Sequence, residues 1–150
     1  KTQRLYYWGL GVFEKSLSLK VQSRYQAGLG VAYVVVNTPA IFLNLSNGVL
    51  YESSDLILQD ESKKHTSTFR NSFRLLYRLS YKNIGKLEGT HFWQPSLADA
   101  SDYIIRSQNS LSIKLTSWLS FTTSLIYNRV NRNATENLLF NYGLTLEKYF

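Results

Sequence analysis

Hydrophobic and polar residues alternate with a period of two over residues 17–36, further than anywhere else in the chain. Nine of the ten odd-numbered positions are apolar or aromatic. The polar side of the pattern begins with Ser18, Lys20, Gln22, Arg24 and Gln26. Successive side chains of a β-strand point to opposite faces, so the pattern predicts a strand, whereas a helix would carry these polar residues around all its faces. A strand of this length with one apolar and one polar face is typical of a transmembrane β-barrel, whose outer surface meets lipid.

The same alternation predicts seven further strands. The eight predicted strands cover residues 5–13, 17–36, 40–52, 67–81, 86–94, 102–115, 118–129 and 137–150. The pattern does not assign the two faces of the fifth strand. Short turns are predicted at 14–16, 37–39, 82–85 and 116–117, and longer exposed loops at 53–66, 95–101 and 131–136. Eight strands joined in this way predict an all-β, antiparallel, up-and-down barrel formed by one domain over residues 1–150. With a periplasmic C-terminus, most short turns would be periplasmic and the longer loops external, as in outer-membrane barrels.

Composition narrows the possible classes of protein. Aromatic residues make up 15% of the chain, which favours strands and aromatic girdles. The longest apolar run, residues 28–36, is too short for a membrane-spanning helix. The chain has no cysteine, which excludes disulfides and cysteine-ligated metals, and no cofactor is expected. It also has no methionine, so we expect Lys1 to follow a cleaved segment or to lie inside a longer chain. The net charge of +7 is dispersed over the strands, which argues against nucleic-acid binding.

Most of the basic strand residues fall on the face that we predict to line the lumen. These candidate ligand-binding residues are Lys20, Arg24, Arg70, Arg74, Arg78, Arg106 and Lys114. Glu52, Glu88 and Glu147 are candidate partners for them. One hypothesis is an anion-selective lumen or a site for an acidic or phosphorylated ligand. The other is a charge network that fills the lumen, and we favour it because an eight-stranded barrel is only wide enough to be filled by side chains and buried charges need partners.

The sequence offers little sign of catalysis. His65 and His91 are the only imidazoles, and no serine or carboxylate has a diagnostic spacing to either. We therefore predict a protein that is not an enzyme. Gly28 and Gly30 alternate with the strand period, which indicates room for bulky inner side chains or a bend in the wall. The chain ends on Phe150, an assembly signal typical of outer-membrane barrels, although the preceding alternation is interrupted by a lysine.

Several stretches resemble the DUF481 family, bacterial outer-membrane proteins of unknown function that include the salt-induced outer membrane protein. They are SRYQAGLGVAY at 23–33, LNLSNGVLYE at 43–52, FRLLYRLSY at 73–81, WQPSLADASDY at 93–103 and SLSIKLTSWLSFTTSLIY at 110–127. The resemblance implies a barrel in the outer membrane of a Gram-negative cell and brings no ligand, reaction or catalytic residue. Family members carry further strands before the one matching Leu5, which implies the C-terminal part of a larger barrel of about twelve strands.

These observations predict a non-enzymatic outer-membrane barrel that acts as a structural or accessory component of the cell envelope. Its expected partners are outer-membrane lipid and lipopolysaccharide, the barrel assembly machinery and other outer-membrane proteins, and not nucleic acid. One alternative is an anion-selective pore or small-ligand-binding barrel. A second is a soluble, lipocalin-like barrel with its apolar face turned inward, which periodicity alone does not separate from a membrane barrel. The terminal aromatic residue, the aromatic content and the family resemblance favour the membrane.

Overall fold

A computed structural model describes residues 4–17, 20–57, 63–82 and 84–146. Its strands are β1 (Leu5–Ser16), β2 (Val21–Asn37), β3 (Ile41–Ile57), β4 (Lys63–Tyr81), β5 (Gly85–Pro95), β6 (Tyr103–Lys114), β7 (Leu119–Val130) and β8 (Thr135–Leu146). A short 3-10 helix, Asn131–Asn133, precedes β8. Each strand pairs antiparallel with the next in chain order, which confirms the predicted all-β meander. Over the described residues, no helix is long and apolar enough to cross a membrane.

Several strands extend further than their hydrophobic pattern. β3 and β4 take up most of the predicted loop at 53–66, of which residues 58–62 lie outside the described part of the chain. The alternation fades there because polar residues pair across the ladder, as Asp55 does with His65 at 2.8 Å. β1 likewise runs through its predicted turn to Ser16. The longer strands shorten the loops, so the predicted difference in length between the two ends is smaller than expected.

The placement of Lys20 on the lumen face of a strand is wrong. β2 begins one residue later, and Lys20 lies in the connection from β1 with a φ of 52°. This left-handed backbone conformation breaks the alternation, since a residue in a strand has a negative φ.

The two faces of the sheet differ as the alternation predicted. On β2, Tyr25, Leu29 and Tyr33 point outward with 59%, 72% and 45% of their surface exposed. Their neighbours Arg24 and Gln26 point inward and are buried. The fifth strand, which the sequence left unassigned, turns Gln94 inward and Trp93 outward. The charged face is therefore the interior, the reverse of a soluble barrel.

β1 departs from this rule because some of its apolar side chains, among them Trp8, face the interior. The indole of Trp8 lies over Gly30 of β2 and Gly48 of β3. A Cβ at Gly30 would lie 2.6 Å from Trp8 Cζ2 and 2.3 Å from the carbonyl oxygen of Asn47. The first of the two predicted roles is thus confirmed, since the glycines admit a bulky inner side chain where the backbones approach, and the bend of the wall stays a prediction.

The sheet curls until β1 meets the inner faces of strands far away in the sequence. The hydroxyl of Tyr6 donates to Asn44 Oδ1 at 3.3 Å, and Glu14 accepts a hydrogen bond from Arg106 of β6. Within the described chain, β1 and β8 are the edges of the sheet and do not pair with each other. Nearly all of β8 is exposed on both faces. The eight strands therefore form a barrel-like wall with an open seam.

Candidate functional site: the charged lumen

The lumen has two charged regions, one toward each end of the strands. We call the end at which β1, β3, β5 and β7 finish the upper end, and the opposite one the lower end. The even-numbered residues of β2, β3 and β4 face inward, so their polar side chains converge inside the curled sheet.

Glu52 on β3 is the centre of the upper region and is fully buried. Its Oε1 accepts a hydrogen bond from Arg70 at 3.0 Å, and its Oε2 lies 3.5 Å from Arg24 Nε. Gln26 Nε2 also donates to Oε2, at 2.8 Å, and Ser54 Oγ to Oε1 at 3.4 Å. One carboxylate thus compensates two guanidinium groups that are themselves 0% and 1% exposed.

Asp102, just before β6, is the second buried carboxylate. Both of its oxygens lie 3.0 Å from Arg70 Nη2, and Oδ2 also accepts from Arg132. Arg70 Nη1 donates in addition to the carbonyl oxygens of Gln94 and Asp102, each at 3.2 Å. Arg70 therefore ties β3, β4, β5 and the start of β6 together through one side chain.

Glu14 at the end of β1 completes the upper network. Arg24 Nη1 donates to Glu14 Oε2 at 3.0 Å, and Arg106 donates to the same oxygen. Four arginines then face three carboxylates, which leaves one positive charge in excess. Buried nitrogens of three of these arginines, among them Arg24 Nη2 and Arg132 Nη1, have no hydrogen-bond partner in the described part of the chain.

The lower region is more open. Arg78 Nε donates to Glu88 Oε1 at 2.7 Å, and Lys86 Nζ lies 3.0 Å from the same oxygen. Arg74, between the two regions, reaches only neutral groups among the described residues, the Tyr6 hydroxyl and Asn44 Oδ1, each at 3.5 Å. A cavity of about 290 Å³ lies at this end. Its inward polar lining consists of Ser80, Lys86, Ser112, Lys114 and Ser120.

Six of the seven predicted lumen residues lie on the inner face, and only Lys20 does not. The upper network contains Arg24, Arg70 and Arg106, whereas Arg74, Arg78 and Lys114 line the middle and lower parts. The predicted partners Glu52 and Glu88 are confirmed. Glu147 and Phe150 lie outside the described residues, and the ligand-binding role of the basic residues stays a prediction.

Three members of the network, Glu14, Asp102 and Arg132, were missed by the sequence prediction. Glu14 was assigned to a turn, although it continues the even-numbered inner face of β1. Asp102 is the first residue of the sixth predicted strand, on its even-numbered side, but was not singled out, and Arg132 was assigned to a loop. The predicted inner face carries more arginines than carboxylates. This imbalance was the signal in the sequence that further carboxylates must pair with the arginines.

A second polar cavity, of about 340 Å³, opens above the network. It is lined by Thr66, Asp99, Ser101, Asp102, Asn131 and Arg132. The hydroxyl of Ser101, at 2.7 Å, and then its backbone N–H, at 2.9 Å, donate to Asp99 Oδ1 and hold the pKa of this carboxyl below its ordinary value. Asp99 therefore stays ionised to a lower pH than an ordinary aspartate, with Arg132 lining the same cavity.

The two histidines do not form a complete hydrolytic site with the described residues. His65 Nδ1 lies 2.8 Å from Asp55 Oδ1, and Ser23 Oγ donates to Asp55 Oδ2 at 2.7 Å, so the serine is bonded to the carboxylate rather than to the imidazole. His91 Nδ1 lies 2.8 Å from Ser107 Oγ, and no carboxylate accompanies it. No group of three or more histidine, aspartate or glutamate residues that could hold a metal ion occurs in the described ranges either.

Comparison with known proteins relates the chain to a single family. No curated protein sequence and no solved structure matches it. The sequence model of DUF481, described as a protein of unknown function, matches residues 1–146, nearly the whole length. An all-β wall of eight strands with a charged interior thus belongs to a member of the DUF481 family.

Proposed function

We propose that this chain forms part of the wall of a bacterial outer-membrane β-barrel and serves a structural or accessory role in the envelope without being an enzyme. One observation carries the proposal: apolar side chains face outward while a buried network of seven charged groups fills the upper lumen. In water this arrangement would expose a large apolar surface and bury charge, whereas in lipid both faces meet suitable surroundings.

Aromatic side chains at two heights support the membrane setting. Tyr25 packs on Phe13 with ring centroids 4.9 Å apart, and Tyr51 packs on Phe69 at 5.3 Å, all toward the upper end. Tyr33 lies on the outer face toward the lower end. The eight residue-to-residue steps from Tyr25 to Tyr33 span roughly 27 Å along the strand at about 3.4 Å each, or roughly 20 Å across a bilayer at the usual tilt. This spacing suits two interfacial girdles.

The proposal also requires partners for the two edges of the sheet. In hydrocarbon every backbone N–H and C=O needs a hydrogen bond, so an open sheet edge does not persist there. β1 and β8 both offer such an edge within the described residues. We propose that additional strands pair with both edges and complete a barrel wider than eight strands.

Heat-modifiability tests the proposal directly. Protein extracted from the outer-membrane fraction is expected to migrate differently on a denaturing gel before and after boiling, because a closed barrel resists detergent until heated. Recovery in the soluble fraction, without a mobility shift, would contradict the proposal and support the lipocalin-like alternative. The isolated chain and the intact protein should be compared, since only a barrel with paired edges is expected to shift.

An anion-selective pore or binding barrel is the second candidate. The observation that favours it is that the basic side chains of the middle and lower lumen outnumber their carboxylate partners among the described residues. Lys86 and Lys114 share the lower cavity with three serine hydroxyls, and Arg74 contacts no carboxylate among the described residues. Ammonium groups and hydroxyls together suit a small oxyanion.

This candidate predicts a specific loss of anion selectivity. In planar bilayers, the protein should conduct anions in preference to cations, and the double variant Arg74→Gln/Arg78→Gln should lose the preference because it removes two positive charges from the lumen. Arg129→Gln, on the outer face, is the matched control and should conduct like the wild type. Equal permeability to both ions in the wild type would exclude the pore.

A further inference from the structure

Two lysines line the same cavity at the lower end of the lumen. Lys86 of β5 lies directly opposite Ser112 of β6, and Lys114 lies two residues further along β6 on the same inner face. Diagonal neighbours of this kind have backbone positions roughly 7–8 Å apart, within reach of long side chains. Both lysines line the cavity of about 290 Å³ described above. A small anion held between β5 and β6 is therefore within reach of both ammonium groups.

Three serine hydroxyls accompany the two lysines in this cavity. Ser80 and Ser112 lie opposite Lys86 on its two sides, and Ser120 lies opposite Lys114. The Ser112 hydroxyl lies 3.2 Å from a threonine hydroxyl of β7. The hydroxyls of Ser80 and Ser120 have no hydrogen-bond partner among the residues that the structure describes. They are therefore available to donate to a ligand.

The charges of the lower lumen leave a surplus that a ligand can balance. Arg78 Nε donates to Glu88 Oε1 at 2.7 Å and Lys86 Nζ lies 3.0 Å from the same oxygen, so one carboxylate serves two cations. Lys114 makes no ion pair within the described ranges. Three cations and one carboxylate leave two positive charges in excess among these four side chains. A cleft lined by one sign of charge concentrates ions of the opposite sign.

The lining of the cavity also argues against other classes of ligand. Apart from the lysines and serines it contains Ile84 and Gly85, and no carboxylate or amide side chain contributes to it in the part of the chain that the structure describes. A Ca²⁺ or Mg²⁺ ion would therefore find none of the carboxylates that it prefers. An apolar molecule would leave ammonium groups and hydroxyls without partners. These donors favour an anion with several acceptor atoms.

We propose that this cavity binds a free divalent oxyanion of tetrahedral shape, such as sulfate or hydrogen phosphate. Its charge balances the surplus, and its oxygens accept hydrogen bonds from both lysines and from the serine hydroxyls at once. The anion comes from the water of the lumen and not from a lipid headgroup, because the lysines and serines lie on the inner face. The site gives the second candidate function a ligand class and rests on it, since only a barrel wall makes this face a lumen.

Calorimetric titration with sulfate tests this site. The intact protein is held in a nonionic detergent, which contributes no phosphate. Perchlorate is the comparison ligand, because it has the same shape but a single charge. We expect sulfate to bind saturably, with one site per chain. Perchlorate should bind at least about tenfold more weakly, because its single charge and weaker hydrogen bonds leave part of the surplus unbalanced.

Lys82→Gln is the matched control for the two lysines of the cavity. Lys82 lies at the same end, but its Nζ lies 5.3 Å from the ring centroid of Tyr81 and does not line the cavity. Lys86→Gln and Lys114→Gln should each weaken sulfate binding by about tenfold or more, the usual effect of losing a hydrogen bond to a charged group, whereas Lys82→Gln should leave it unchanged. Both cavity lysines are exposed, so the variants are expected to fold, and an unchanged urea midpoint without sulfate verifies this.

Equal weakening by all three substitutions would reduce the effect to net charge and overturn the site. Perchlorate binding as tight as that of sulfate, or no saturable binding at all, would also overturn it. When the protein still shows the heat-dependent mobility shift, such a result refutes the oxyanion site and leaves the proposed barrel standing, whereas loss of the shift as well refutes the barrel. Sulfate binding without anion selectivity in planar bilayers would support the site and identify a binding barrel instead of a pore.

Discussion

Replacing Glu52 by glutamine is expected to destabilise the folded protein by about 3–5 kcal/mol, the usual cost of leaving a buried charge without its partner. The variant keeps the size of the side chain and removes the charge that two buried arginines share. Arg24 retains Glu14 and Arg70 retains Asp102. The four arginines of the upper lumen would then face only two carboxylates, so two positive charges would be left without a balancing carboxylate. Equilibrium unfolding in urea, in detergent micelles or vesicles, measures the loss.

Glu88→Gln is the matched control for this prediction. Glu88 also holds two basic partners, Arg78 at 2.7 Å and Lys86 at 3.0 Å, but its side chain is 38% exposed. Water screens such a pair, so its removal should cost less than about 1 kcal/mol. Equal losses for Glu52→Gln and Glu88→Gln would mean that burial of the upper network does not determine its contribution.

Gly48→Ala is expected to be the second most damaging change. The added Cβ would lie 2.5 Å from the carbonyl oxygen of Leu29, 2.8 Å from Gly30 Cα and 2.6 Å from Trp8 Cζ2. Two of these contacts are with backbone, so β2 and β3 would have to separate where they now approach closely. Overpacking of this kind costs about 1–3 kcal/mol, seen as a lower urea midpoint at an unchanged slope.

Two comparisons separate the causes of that loss. Gly143→Ala on β8 introduces the same methyl group where nothing lies within 4 Å, and it should unfold like the wild type. Trp8→Ala in the Gly48→Ala background removes the indole contact but neither backbone contact, so it should not restore stability. Full recovery in the double variant would show that the indole, and not the bend of the wall, requires glycine.

The order and facing of the strands could be predicted because their cause is local. In β2, each inward residue such as Arg24 lies between outward residues such as Tyr25, and this period of two is written directly in the sequence. The inner glycines were also interpretable, since glycine in a strand interior has few reasons to be there. Five of the inward arginines followed from the same alternation.

The remaining features depend on partners that are distant in sequence. Glu14 and Arg106 are separated by 92 residues, and nothing near either one indicates the other. Asp102 meets Arg70 across β5, and nothing near either residue in the sequence indicates this contact. β3 and β4 extend beyond their apolar pattern. Above Glu52 they are stabilised by cross-strand pairing and not by the burial of apolar side chains. Such features become visible only when the strands are arranged in space.

The contacts of Glu14 and Asp102 also bear on how the chain folds. Every strand ladder joins sequence neighbours, so hairpins can form one after another at little cost in loop entropy. The upper network is different, because Glu14 of β1 gains its second ionic partner, Arg106, only after β6 has arrived. Completion of the network therefore couples hairpins that can otherwise form separately. It makes the stability of the first strand depend on the presence of the sixth.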